Sequence, residues 1–221
     1  MLKNYQGQAE ILIVGDCPPW YDGPIIKRKR DCRGSGFRKG LSDVLSKMEF
    51  ISNSDKIRGT FVWMMDDVFM VKPTSYDELA KPRAGGFIRK RGGNGWQTVK
   101  ANTADQLSKS GYTTYDYATH LPHFVEKPLL QDLFKRVDRR KCFFLWEVMY
   151  WNLMRIKPEK HVPFLRRLRR SDYDYDEIAR KANFINLAGN SWSKNMRDWL
   201  CDRFPEFTDF ESGIIQPKGR S

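Results

Sequence analysis

Residues 59–73 read Gly-Thr-Phe-Val-Trp-Met-Met-Asp-Asp-Val-Phe-Met-Val-Lys-Pro: an apolar run rich in Val and aromatics that ends abruptly in two adjacent carboxylates, Asp66 and Asp67. A short, nearly all-apolar segment bounded by Gly and Pro predicts a buried strand. Such a strand gains nothing from a pair of like charges at its end, because each carboxylate costs several kcal/mol to desolvate unless a positive charge meets it. A divalent cation is the usual partner, and hard oxygen ligands suit Mg²⁺ or Mn²⁺. The plainer alternative is that one Asp caps a turn and the other is solvated.

A length of 221 residues, with 40% hydrophobic and 14% aromatic content, is ample for one packed domain. No apolar stretch approaches the roughly 20 residues that cross a bilayer, and no charged-then-apolar leader opens the chain. The expectation is a protein with no membrane contact. The four cysteines (Cys17, Cys32, Cys142 and Cys201) are scattered without a CxxC pair, against a zinc knuckle or a dense disulfide framework. A reducing cytoplasm fits that usage. The 39 Lys and Arg against 27 Asp and Glu give a net charge of +12, which attracts polyanions such as DNA, RNA or phosphorylated molecules.

Along the chain, Ile11-Leu12-Ile13-Val14 is a core strand that stops at Gly15-Asp16. A Pro- and Gly-rich loop with Trp20 follows, then a basic segment over 27–40 that includes Arg38. Leu41, Val44, Leu45 and Met48 recur at helical spacing, and the carboxylate-ending strand comes next. Strand, helical crossover and second strand form the pattern of a parallel α/β unit, which gathers ligands at its carboxyl strand ends. Asp16 and the Asp66-Asp67 pair both fall at such ends. Residues 81–100 read as a basic, glycine-rich loop or hairpin carrying Trp96. Residues 126–137 read as a helix with Pro128 in its first turn, 142–154 as a buried helix, 184–187 as a strand, and 192–204 as a closing helix ended by Pro205. The basic stretch 166–170 precedes an acidic one over 172–177.

Three further residues can carry chemistry. His120 and His123 flank Pro122 closely enough to bind a metal or exchange protons, or to be ordinary loop residues. Glu147 stands alone in an apolar run, so it is paired with a cation, bound to a metal, or held at a raised pKa for catalysis. The 27–40 segment has the composition of a phosphate cradle without the spacing of a P-loop.

Together these pieces resemble the Stealth family of sugar-phosphate transferases, related to the GT-A glycosyltransferases. The strand and Pro-Trp loop over 11–20, the Asp-Asp strand end over 61–73, the His-Leu-Pro-His block over 117–123 and the Phe-Pro tail over 204–211 occur in the family's order. Two departures stand out. The family's usual opening block is missing before residue 10, so the nucleotide pocket is trimmed, built differently or shared with a partner chain or oligomer. The last block's Asn-Asp is not intact, leaving Asn186 or Asn190 as its candidate ligand.

The resemblance implies a Rossmann-like, mostly parallel sheet with flanking helices in a single GT-A-like domain. Residues 1–115 would form the sheet-rich metal and nucleotide half, and 116–221 the mainly helical acceptor half. It implies a nucleotide-sugar donor, expected to be a UDP-sugar, held through Mg²⁺ or Mn²⁺ on Asp66 and Asp67. Asp16, Trp20, Arg38 and Asn190 would contact the donor, and His120, His123 or Glu147 would serve as base. With the +12 charge, the favoured acceptor is a hydroxymethylated base in bacteriophage DNA. A capsule or cell-wall polysaccharide is the alternative. The rival of another class is a non-catalytic nucleic-acid-binding protein that stacks bases on Trp96.

Overall fold

The computed structural model describes residues 4–7, 10–16, 21–31, 33–65, 67–89, 93, 95–159, 165–168, 173–187 and 193–204. Its strands are short and its helices carry most of the core. In chain order the elements are β1 (Tyr5–Gln6), β2 (Ile13–Gly15), β3 (Ile25–Lys27), α1 (Phe37–Asn53), β4 (Thr60–Trp63), β5 (Val68–Met70), β6 (Thr74–Ser75) and α2 (Tyr76–Ala80). They continue with α3 (Gly95–Lys109), β7 (His123–Glu126), α4 (Lys127–Arg136), α5 (Trp146–Leu153), β8 (Leu165–Leu168), α6 (Tyr175–Lys181), β9 (Phe184–Leu187) and α7 (Lys194–Arg203).

The apolar run over 59–73 is two strands and not one. Val and aromatic residues extend the chain on both sides of the acidic pair, but β4 pairs antiparallel with β7 while β5 pairs antiparallel with β9. Asp67 therefore lies in the turn that leads into β5, between two strands bound for different partners, where it interrupts no ladder.

The α/β character expected from the sequence is present, but the sheet differs from a Rossmann-like one among the described residues. β2 pairs parallel with β3, its nearest extended neighbour, and not with β4 across the α1 crossover. β1 pairs parallel with β6, and β8 joins β9 in parallel, giving a three-stranded sheet of order β5-β9-β8. With two to four residues each, these strands fall short of the usual five or six, so side-chain packing has to hold them in place.

That packing comes from a large cluster formed by α1, α3, α4, α5 and β7. Leu41, Leu45, Met48 and Ile51 lie on one face of α1 and meet Leu130 and Leu133 of α4 in the same core as Val99, Ala104 and Leu107 of α3. These residues follow the three-to-four spacing of a buried helical stripe. The α3 stripe was present in the sequence but masked by the glycines before it, which read as a loop. Residues 142–145 are not helical; Leu145 is the extended N-cap of α5, and its amide donates to the Thr103 hydroxyl at 3.1 Å. A second cluster joins Val71, Ile185 and Leu187 to Tyr175, Ala179, Met196 and Leu200 of α6 and α7. Asp174 and Ser193 cap these two helices, accepting from the Glu177 and Met196 amides.

Asn152, fully buried on α5, fixes the chain that leads into the histidine loop. Its Oδ1 accepts from the Tyr115 amide (2.9 Å) and the Thr113 hydroxyl (3.0 Å), and its Nδ2 donates to the Tyr115 and Val148 carbonyls (2.9 and 2.8 Å). Removing it takes a hydrogen-bond partner from the Tyr115 amide and carbonyl, the Thr113 hydroxyl and the Val148 carbonyl. Asn152→Ala is expected to lower the unfolding free energy by about 2–4 kcal/mol. The readout is a fall in the urea midpoint with the slope unchanged.

Candidate active site

The histidine block enters β7 through a left-handed turn. His120 has φ 60, a conformation that side chains other than glycine rarely adopt, and its ring lies 6.1 Å from that of Trp96 on α3. Leu121 packs with Val68, Met70 and Phe184, and with Met64 and Met65 of the acidic turn. The loop bearing the histidines is thereby seated against the residues that flank Asp67.

His123 pairs across the β4–β7 ladder with Trp63. Its Nδ1 accepts from the Trp151 indole N–H at 3.1 Å, and its ring stands edge-on to Trp146, with centroids 5.5 Å apart. Burial, helped by the neighbouring His120, pushes its pKa down to about 3. The ring is neutral near pH 7 and carries its proton on Nε2, because Nδ1 is the acceptor. At that pH it is a hydrogen-bond donor and not a base.

Glu147 follows Trp146 in the first turn of α5 and is only 6% exposed. Burial raises its pKa to about 7; its own amide and Lys100 oppose the shift, and Asp116 reinforces it. Lys100 is ion-paired with Asp116, so its charge is largely committed there. Glu147 itself makes no ion pair among the described residues. A carboxyl poised near neutrality is suited to taking or giving a proton. Of the alternatives open in the sequence, the arrangement matches the raised pKa and not the buried salt bridge.

Asp67 lies at the entry to β5. Its carbonyl accepts from the Leu187 amide (2.9 Å) and from Asn186 Nδ2 (3.3 Å). Its carboxylate Oδ1 is buried and meets no donor among the described residues, and the same holds for Oδ1 of the fully buried Asn186. Two unsatisfied acceptors on adjoining strands are costly unless a donor or a cation lies between them. Oxygen donors of this kind fit Mg²⁺ or Mn²⁺, and Mg²⁺ commonly takes only one or two protein carboxylates, completing its shell with waters and substrate phosphates. No group of three or more His, Cys, Asp or Glu side chains among the described residues could hold a metal. Asp66 lies outside those residues.

Four rings tie these parts together. Trp63 meets Trp146 edge-on at 6.1 Å, Trp146 meets His123, and Trp151 bonds to His123. The indole N–H groups of Trp63 and Trp146 are both buried without an acceptor among the described residues. Buried indoles usually find one, so these two donors are available to a polar group placed beside them. Asp67 is four residues beyond Trp63, a step of at most about 14 Å.

The remaining sequence candidates divide. Asp16 is exposed and pairs with Arg30 at 3.3 Å, with no described contact to the aromatic cluster. Arg38 stands over the Phe143 ring at 5.8 Å, while its neighbour Phe37 touches Trp96 at 5.2 Å, which places the start of α1 beside the histidine loop. Trp20 and Asn190 lie outside the described residues. Sequence reasoning missed Lys100 and Asp116, because Lys100 sits on the unforeseen α3. Trp63 and Trp146 were read only as apolar filling.

Stability should report the Glu147 proton directly. Between pH 4.5 and about 7 the folded carboxyl holds a proton that the unfolded chain has released, so stability falls as pH rises through this window. The expected loss has an upper bound of about 3 kcal/mol. His123 works in the opposite sense, losing stability as pH falls below 6.5. Subtracting the urea-derived stability profile of Glu147→Gln from that of the wild type is expected to isolate the Glu147 slope. A difference that does not change with pH from 4.5 to 8 would remove the raised pKa.

Compared with models of known protein families and with curated protein sequences, the chain matches none.

Proposed function

We propose that the protein is a divalent-cation-dependent, GT-A-like transferase that moves a sugar, or a sugar-phosphate, from a nucleotide-sugar to a hydroxyl acceptor. The observation that carries this reading is the pair of buried oxygens without donors among the described residues, Asp67 Oδ1 in the turn before β5 and Asn186 Oδ1 on the neighbouring strand β9, with Leu121 of the histidine block packed into the same cluster as Val68 and Met65. A carboxylate oxygen and an amide oxygen left without donors suit a hard cation bound to a diphosphate.

In this reading Asp67 and Asn186 hold the cation, with Asp66 as the neighbouring carboxylate. When bound, the cation neutralises charge that develops on the departing nucleotide phosphate. Glu147 takes the proton of the acceptor hydroxyl as its oxygen attacks, and the bond from the transferred group to the nucleotide phosphate breaks. The free indole N–H groups of Trp63 and Trp146, with His123 Nε2–H, are hydrogen-bond donors suited to orienting sugar hydroxyls. Preorganised donors of this type add to the rate where charge or geometry changes along the reaction. The +12 charge favours a polyanionic acceptor, and the proposed one is a hydroxymethylated base in DNA.

The first experiment is hydrolysis of a UDP-sugar panel with Mg²⁺ or Mn²⁺, followed by mass spectrometry of nucleosides from hydroxymethylated DNA incubated with the same donors. Asp67→Ala is expected to abolish cation-dependent turnover while leaving DNA affinity intact. Glu147→Gln is expected to lower kcat by about 10²–10⁴ and to remove a rise in rate with pH centred near 7. A wild-type protein that binds no nucleotide-sugar with either cation would overturn the transferase. Turnover with unmodified nucleosides would redirect the acceptor to a polysaccharide.

A further inference from the structure

Away from the aromatic cluster, an open cleft of about 340 Å³ is lined by Lys72, Asp176, Ala179, Arg180 and Arg203. It lies where the segment after β5 meets α6 and the last turn of α7. Three cations and one carboxylate converge on it, yet none of the three forms an ion pair with a carboxylate among the described residues.

Two of the cations are fixed by the backbone. Lys72 Nζ donates to the Arg180 carbonyl at 2.5 Å, which uses one of its three donors. Arg203 donates through Nη2 to the Val71 carbonyl at 2.6 Å, and its guanidinium stands over the Trp199 ring at 5.4 Å. Its Nε is buried and meets no acceptor among the described residues. Asp176 is turned to another task, accepting from the Trp199 indole N–H at 2.9 Å. The cleft thus keeps a net charge of +2, with donors to spare on Lys72 and on the exposed Arg180.

We propose that this cleft binds a phosphate group. Its charge and its guanidinium donors match a phosphate oxyanion. Its volume lies at the lower end of small-molecule sites, which exceeds one phosphate and leaves space for the group that carries it. That phosphate belongs either to a phosphorylated small molecule or to one phosphodiester unit of a nucleic acid. The proposal stands on the cleft alone and does not depend on the transferase reading.

The test is calorimetric titration of the full chain with inorganic phosphate at low ionic strength, repeated with a short duplex DNA. Arg180→Gln, an exposed substitution, is expected to weaken phosphate binding about tenfold, the equivalent of one charge-assisted hydrogen bond. Lys72→Gln should act in the same direction. Asp176→Asn should tighten binding by removing the negative charge among the described lining residues. Arg136→Gln, which lowers the net charge equally on distant α4, should leave phosphate binding unchanged. If duplex DNA follows the same order of variants, the site takes a phosphodiester; if only inorganic phosphate does, it takes a phosphorylated small molecule. Equal phosphate affinity in wild type, Arg180→Gln, Lys72→Gln and Asp176→Asn, or no binding by wild type, would overturn the proposal.

Discussion

The contact on which the rest of the candidate site depends is the packing of Trp146 against Trp63 and His123. Trp63 and His123 face each other across the β4–β7 ladder, and Trp146 opens α5 against both. One indole therefore joins a strand end, a loop exit and a helix start. Each of these delivers a different kind of group: the acidic turn after β4, the histidines before β7, and Glu147 beside Trp146. With strands of four residues, the ladder alone would be a weak support, and the burial of large rings supplies what the hydrogen bonds do not.

The same packing sets the protonation states. His123 is enclosed by Trp146 and Trp151, so its charged form is strongly disfavoured and its proton stays on the nitrogen that Trp151 does not occupy. Glu147 is buried at a helix start, where the dipole favours its charge, but loss of water outweighs that help and Lys100 is committed to Asp116. Two residues that looked like equivalent bases in the sequence thus separate into a donor and a proton-exchanging carboxyl. The difference is one of desolvation sign: burial lowers an imidazole and raises a carboxyl.

Several elements were legible because their signals are local. The apolar stripe of α1 from Leu41 to Ile51, Pro128 in the first turn of α4 and the apolar run of β9 each express a periodicity or a breaker that acts over a few residues. Where the reading failed, a distant partner decided. Val99, Thr103 and Leu107 form a helix behind a glycine-rich entry because the core accepts their stripe. α5 begins only after Leu145, whose amide is held by the hydroxyl of Thr103, 42 residues away. The run over 59–73 breaks at the carboxylates because β7 claims one side and β9 the other.

The sequence by itself determined the α/β character, the strong positive charge, and the chemical types available: adjacent carboxylates, a close histidine pair and one acid in an apolar setting. These follow from composition and short-range pattern, which require no knowledge of what lies opposite. The tertiary structure decided that Asn186 of β9 reaches the Asp67 carbonyl, that Asp16 stands apart on Arg30, and that His123 meets the Trp63–Trp146 pair while His120 lies beside Trp96. It also decided which groups lack partners. A buried oxygen or indole N–H becomes unsatisfied only when its surroundings are complete, and those surroundings come from strands and helices far apart in the chain.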